Sequence, residues 1–336
     1  MTLHLTSYLS LILIFFPLRI LFKNLKSQFY KDHQKLAGKE FVPLIGGIIM
    51  FCYYSYKVSF DDYNFFIFSF LILLLGIFSD NNLFQSPRFR LILQALILVI
   101  FLYFSDLQVS DLRNDFLNKI LSNYYFGLFF TAFCLLTLIN GSNFIDGLDG
   151  LNLGYYLLII IFILHLYNLG LIEVEKEKIV VIFHIVSFLL IFNIFNYLYL
   201  GDSGSYLIGF IFGTLLIDLS NNNYSLSPYF VTLLLWYPAF ENLFSIIRKK
   251  LFKENPFEAD NSHFHQLLFN FLKKNNNTFI KKFSNIISSI LIVFYNLIIF
   301  SIGSNFTNHT KMLLLLLLIN VIVYLFLYSI LKKQNS

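Results

Sequence analysis

Asn143, Asp146 and Asp149 recur at intervals of three, with Gly147 and Gly150 among them, directly after the apolar run 133–139. On a helix this spacing puts three oxygen-bearing side chains on one face, and the glycines leave no side chain against a close ligand. Such a row suits a hard cation: Mg²⁺ takes oxygen ligands, usually one or two carboxylates plus substrate phosphates, and keeps several waters. Two carboxylates beside a hydrocarbon-length segment cost about 2.5–3.5 kcal/mol each if left at the bilayer centre. Ionisable residues at that depth therefore point to function before stability. Taken alone, the stretch is equally a helix cap with turn glycines; further carboxylates on the same membrane face favour the site.

The next of these is Gly201-Asp202-Ser203-Gly204-Ser205, between two apolar runs and opening a helix. Asp202 can ligate a metal, and the glycines and first N–H groups of the helix can receive phosphate oxygens; an Asp or Ser N-cap is the competing role. Asp80 ends another apolar run, and Arg88 follows as a phosphate contact, although Arg88 and Arg90 alone are ordinary topology charges. A long basic loop carries Asp260, His263 and His265. Two histidines at i, i+2 point apart on a helix, which disfavours a zinc pair; as donors to a diphosphate or sugar they suit an anionic substrate. His165 and His184 lie within apolar runs away from this face and read as packing residues.

The elements that must position these residues are membrane helices. The 336-residue chain is 57% hydrophobic and 13% charged, against roughly 25% charged in soluble domains, and its mean hydropathy is +0.71. Cys52 and Cys134 sit inside apolar runs and suggest neither a disulfide framework nor a zinc site. The first run has no basic n-region or cleavage site and reads as a retained span. Runs near the 17–25 residues that cross hydrocarbon as a helix number eleven: 3–22, 41–58, 63–79, 91–105, 122–140, 151–169, 179–197, 203–219, 228–247, 284–304 and 312–331. The fold expected is an all-α integral membrane protein, one polytopic domain over 1–336 with a basic cytoplasmic loop at 248–283. Of the 24 Lys and Arg residues, 18 fall on one side of this arrangement. The positive-inside rule then places the N-terminus outside and the C-terminus in the cytoplasm. Under that topology the segments 32–47, 79–90, 140–154, 193–205 and 241–266 all reach the cytoplasmic face, which predicts one site there.

Pro43-Leu44-Ile45-Gly46-Gly47, Asn143-x-x-Asp146-Gly147-x-Asp149-Gly150-Leu151, Gly201-Asp202-x-Gly204-Ser205 and Asp260-x-x-His263-x-His265, in this order, resemble the polyprenyl-phosphate N-acetylhexosamine-1-phosphate transferases (glycosyltransferase family 4). The resemblance covers roughly residues 30–270. It implies a multi-pass enzyme of the bacterial inner membrane that moves a sugar 1-phosphate from a UDP-N-acetylhexosamine onto undecaprenyl phosphate, releases UMP and needs Mg²⁺ or Mn²⁺. Such a step initiates cell-surface polysaccharide, lipopolysaccharide or cell-wall glycan synthesis. Pro238, Glu241 and the His-x-His-Gln loop resemble the branch that uses free UDP-N-acetylhexosamines. The triple-His and Gly-Thr-Pro-Thr signatures of the muramoyl-pentapeptide branch are absent.

In this frame Asp80, Asp146 and Asp149 are the catalytic candidates. Asp202 with Asp146 would hold the metal, and Asn143, Arg88, Asn193, Gly204, Ser205, His263 and His265 would contact substrate. Asp80 is the candidate to orient or deprotonate the lipid phosphate. The sequence departs from the family at Ser79, where a second acidic residue is usual, and at Asn196 and Tyr197, where small or Pro residues are usual. The partners expected are the nucleotide sugar, the lipid phosphate and the bilayer, with no nucleic acid; a homodimer is left open. A transporter or flippase is the alternative of another class, and it predicts carboxylates spread through the membrane depth. A lipid-alcohol phosphotransferase is disfavoured because no Ala-Arg follows Asp146-Gly147.

Overall fold

The computed structural model describes residues 2–24, 42–57, 63–84, 86–253, 255 and 262–335. Asp260 and the lysines at 26–39 lie outside the described residues. Among the described residues the chain forms fifteen α-helices: α1 (Thr2–Asn24), α2 (Gly46–Lys57), α3 (Tyr63–Asp80), α4 (Pro87–Ser105), α5 (Asp115–Leu121), α6 (Tyr124–Ile145), α7 (Leu151–Asn168), α8 (Lys176–Ile194), α9 (Gly201–Asn222), α10 (Pro228–Leu234), α11 (Trp236–Leu251), α12 (Phe264–Lys273), α13 (Thr278–Lys282), α14 (Ser284–Ser304) and α15 (Thr310–Asn335). Eight of them, α3, α4, α6–α9, α14 and α15, are long and apolar enough to cross a membrane. The protein is a multi-pass, all-helical membrane protein.

Helix α9 is the most enclosed of the eight and packs against α2, α3 and α6. In lipid the contact between helices rests on close van der Waals packing, so small residues gather where helices cross. Ser205, Gly209 and Gly213 form a four-residue repeat on α9, and Gly209 and Gly213 meet Ile139, Ser142 and Leu135 of α6. A Cβ on Gly47 of α2 would stand 2.6 Å from the Gly204 nitrogen, and one on Gly76 of α3 would strike the Ser203 backbone. Gly76→Ala is expected to force α3 and α9 apart at a cost of about 1–3 kcal/mol, the usual range for overpacking. Thermal unfolding in detergent, followed by fluorescence, would show the lower Tm; an unchanged Tm would contradict the packing.

Two of the expected spans take other forms. The stretch expected as one span at 228–247 is broken at Leu235 into α10 and α11, bent by 75°. Pro238 has no N–H to offer the carbonyl of Leu234, and its ring crowds that carbonyl. The Tyr155 hydroxyl repairs the break by donating to the Leu234 carbonyl (2.8 Å) and accepting from the Tyr237 N–H (3.4 Å). The bend turns α11 so that Glu241, Asn242, Ser245 and Arg248 are buried against the rest of the bundle. The stretch expected at 41–58 contains only the twelve-residue α2. Its N-terminal end is tied down by a parallel bridge between Leu44 and Tyr199. Cys52 is exposed on that helix.

Candidate active site

The polar segments converge on one end of the bundle. The C-terminal ends of α3, α6 and α8 meet the N-terminal ends of α4, α7, α9, α12 and α14 there, joined by hydrogen bonds and ring contacts. At its centre Gly201 takes φ 72°, a conformation that glycine adopts without a Cβ penalty. A Cβ at that position would stand 2.8 Å from Asp80 Oδ2. The bare glycine lets the Asp80 carboxylate close over the start of α9, where Oδ1 accepts from the Asp202 N–H (2.9 Å) and Oδ2 from the Ser203 N–H (3.1 Å). The first N–H groups of α9, expected to receive phosphate, are satisfied by Asp80, which is thereby the cap that fixes Asp202.

Asp202 is buried, and its Oδ2 accepts from the Ser79 hydroxyl and from Arg90 Nη1 at 3.2 Å. Arg90 also donates to Ser79, so Ser79 links Arg90 to Asp202. The structure thus brings Arg90 into the carboxylate cluster, while Arg88, expected as a phosphate contact, is exposed on the first turn of α4. Ser86 caps that helix and Pro87 opens it. Residues 88 and 90 are then about 200° apart around the axis at 3.6 residues per turn, so only one can face inward.

Asp146 caps the C-terminus of α6, its N–H donating to the carbonyl of half-buried Asn143 at 3.2 Å. Its carboxyl faces Ser205 and stands near three other carboxylates. Burial, followed by the charges of Asp202, Asp80 and Asp149, pushes the Asp146 pKa well above the ordinary carboxylate value, and the Ser205 hydroxyl offsets part of the shift. Asp149 is pinned from a distant helix: its N–H donates to Asn285 Oδ1 (2.9 Å), and Asn285 Nδ2 donates to its Oδ2 (3.3 Å). Asn193, expected to touch substrate, is buried and works on the backbone instead, accepting from the Gly150 N–H (2.7 Å) and donating to the Leu198 carbonyl (3.4 Å). Gly204, also expected at the substrate, is buried at the crossing with α2 against Gly47 and Leu200. Asn196 ends α8 with φ 56° and accepts from the Tyr199 hydroxyl, a left-handed conformation that Asn tolerates.

The two loop histidines do not point apart. His263 is the extended N-cap of α12 and only His265 is helical, so their rings lie 13° from parallel with centroids 5.7 Å apart. His263 also lies against Phe144 with the rings tilted by 41° and centroids 4.8 Å apart, and a Cβ on Gly147 would stand 2.8 Å from His265 Nε2. Both rings therefore sit on the turn that carries Asn143 and Asp146. His184 is buried with its ring edge on Tyr8 (5.1 Å), the packing role expected of it.

Carboxylate oxygens are the ligand type that a hard divalent cation takes. No three His, Cys, Asp or Glu side chains among the described residues are grouped to hold a metal unaided. Asp146 nevertheless stands near Asp202, Asp80 and Asp149, and burial followed by their charges raises its pKa. Mg²⁺ is commonly bound by one or two carboxylates with phosphate and water in the remaining positions.

Sequence reasoning missed Arg90, Asn285 and the contacts of Glu241. For Arg90 the Ser-Pro start of α4 carried a signal, since it fixes the helical phase; Asn285 gave none.

Residues 63–220 match the family model described as glycosyl transferase family 4. The chain is 29% identical over 238 residues to the undecaprenyl-phosphate alpha-N-acetylglucosaminyl 1-phosphate transferase of Thermotoga maritima, covering 70% of each chain. It is 25% identical over 260 residues to the Escherichia coli protein of the same name, covering 72% of this chain and 68% of that one. A probable undecaprenyl-phosphate N-acetylglucosaminyl 1-phosphate transferase of Bacillus subtilis is 25% identical over 212 residues, covering 60% and 57%.

Proposed function

We propose that the chain, whose residues 63–220 match the glycosyl transferase family 4 model and which is similar to N-acetylglucosaminyl 1-phosphate transferases, belongs to that family and transfers N-acetylglucosamine 1-phosphate, or a related N-acetylhexosamine 1-phosphate, from a UDP-sugar to undecaprenyl phosphate. UMP is the second product. The observation that carries this reading is the gathering of Asp80, Asp146, Asp149 and Asp202 with Arg90 and the two stacked histidines at one end of an apolar bundle. A transporter would spread its carboxylates through the membrane depth, and these share one end.

An oxygen of the lipid phosphate attacks the β-phosphorus of the UDP-sugar, and the bond from that phosphorus to the bridging oxygen breaks, leaving UMP. The acceptor needs little help to ionise, because a phosphomonoester has a second pKa of about 6. Phosphoryl transfer then depends mainly on positioning and charge neutralisation. Asp146 and Asp202 would hold Mg²⁺ or Mn²⁺, which when bound neutralises charge on the diphosphate. Asp80 keeps Asp202 in place through the first turn of α9. Arg90 balances Asp202, and Arg88, exposed at the rim, supplies a guanidinium to phosphate. His263 and His265 donate to the diphosphate or sugar, with Asn143 beside them.

The bent pair α10 and α11 serves as a ninth, broken span, and α1 adds a shorter apolar helix. Eighteen of 24 basic residues on one side support a cytoplasmic site in the bacterial inner membrane, where nucleotide sugars are available. The test is UMP release by the purified chain with undecaprenyl phosphate and a panel of UDP-GlcNAc, UDP-GalNAc and deoxy analogues. Release that requires both the lipid phosphate and a UDP-N-acetylhexosamine supports the reading; release independent of the lipid would overturn it.

A further inference from the structure

Glu241 is 1% exposed, and each of its carboxylate oxygens is engaged. Oε1 meets His263 Nδ1 at 3.0 Å and accepts the Phe264 N–H at 3.1 Å, while Oε2 accepts the Tyr324 hydroxyl at 2.7 Å. A carboxylate buried this deeply is costly even when its hydrogen bonds are complete, and apolar residues of the same volume often serve stability as well or better. Its use is therefore sought in what it holds. Three separate parts of the chain converge on it: the arm bent at Leu235, the first residues of α12, and the last helix, α15.

We propose that Glu241 is a positioning residue for the transfer reaction, acting through His263. This rests on the transferase reading of the same site. A carboxylate on Nδ1 fixes both the tautomer and the orientation of an imidazole, and it commits that nitrogen to Glu241. Nε2 is then the ring nitrogen left to serve substrate. The ring lies against Phe144, tilted by 41°, and His265, nearly parallel to it, at 4.8 Å and 5.7 Å between centroids. Phe144 adjoins Asn143 and precedes Asp146 by two residues, so the ring is registered to the turn carrying those side chains. Carboxylates that orient a catalytic or ligating histidine recur on unrelated folds because the requirement is geometric.

The bend at Leu235 gives this role a structural origin. A straight continuation of α10 would carry Glu241 along the span axis, whereas the 75° turn brings α11 to the N-cap of α12. Tyr324 closes the other side of the carboxylate from α15.

The test is a double-mutant cycle in the full-length protein, purified in detergent and checked for monodispersity. Glu241→Gln keeps shape and hydrogen-bonding capacity but removes the charge that holds Nδ1. It is expected to lower kcat by about 10–100-fold, the range seen when a partner behind a ligating histidine is removed, with KM for the UDP-sugar changed less than about threefold. In the His263→Gln background the same substitution is expected to have no further effect beyond about twofold, because the two residues act as one unit. Tyr324→Phe removes the bond to Oε2 and leaves His263 held, so it is expected to lower Tm while keeping kcat within about threefold. Should Glu241→Gln fail to fold, Glu241→Asp keeps the charge but shortens the reach, and about a tenfold loss that vanishes in the His263→Gln background is expected. Additive losses, or Tyr324→Phe losing as much kcat as Glu241→Gln, would overturn the role alone. Absence of transfer by the unaltered protein would overturn the transferase reading, and the role with it.

Discussion

Asp202→Asn is expected to lower kcat/KM by on the order of 10²–10³-fold, the usual effect of removing one preorganised charge-stabilising group. Asp202 is buried at the start of α9, with its N–H fixed by Asp80 and its Oδ2 shared by Ser79 and Arg90. An amide in its place keeps the volume but removes the negative charge that would bind a divalent cation and balances the guanidinium. Arg90→Gln provides the opposite test, because it frees the carboxylate from its guanidinium. The Mg²⁺ concentration giving half-maximal activity should rise, or activation disappear, in Asp202→Asn. It should fall in Arg90→Gln even if kcat drops. Steady-state UMP release against Mg²⁺ concentration measures both. Turnover of Asp202→Asn within about threefold of the unaltered protein would remove Asp202 from the machinery.

The second large effect concerns Asp146, where activity and stability should move in opposite directions. Burial, with the charges of Asp202, Asp80 and Asp149, raises its pKa in the folded protein. The folded state therefore keeps a proton that the unfolded state releases once pH exceeds the ordinary carboxylate range. Stability from this group falls as pH rises through that window and stays lower above the raised pKa. Asp146→Asn removes the penalty. The variant should have a higher Tm than the unaltered protein at pH 8 without divalent metal, the gap closing as pH falls toward 4, while transfer drops on the order of 10²–10³-fold. Added Mg²⁺ should raise the Tm of the unaltered protein, since ligands that bind only the native state stabilise it, and should do so less in the variant. Thermal scans at two pH values, with and without Mg²⁺, decide this. A lower Tm for Asp146→Asn at pH 8 would mean that the carboxylate stabilises the fold.

Much of this architecture is legible from hydropathy. The long spans follow from the cost of exposing backbone and charge to hydrocarbon, and the same cost singles out Asp80, Asp146, Asp149 and Asp202 at helix ends. What the sequence conceals is which polar group faces which. Arg88 and Arg90 have the same charge and differ only in helical phase, which Ser86 and Pro87 set. Asn193 and Gly204 lie inside the motif-bearing segments but serve the backbone and a helix crossing. Asn285 reaches Asp149 across 136 residues of chain, a contact that no local pattern encodes. The bend between α10 and α11 rests on one Pro whose freed carbonyl is satisfied by Tyr155 from another helix. His263 escapes helical spacing because it caps its helix.

The most direct measurement of the central claim is chromatography of the lipid product. The purified protein is incubated with undecaprenyl phosphate, Mg²⁺ and UDP-N-acetylglucosamine labelled in the sugar and at the β-phosphorus. The account predicts that both labels move together into a lipid diphosphate with release of equimolar UMP, and that Asp202→Asn forms little of it. Transfer of the sugar label without the phosphorus, or a labelled lipid formed equally well by Asp202→Asn, would contradict it.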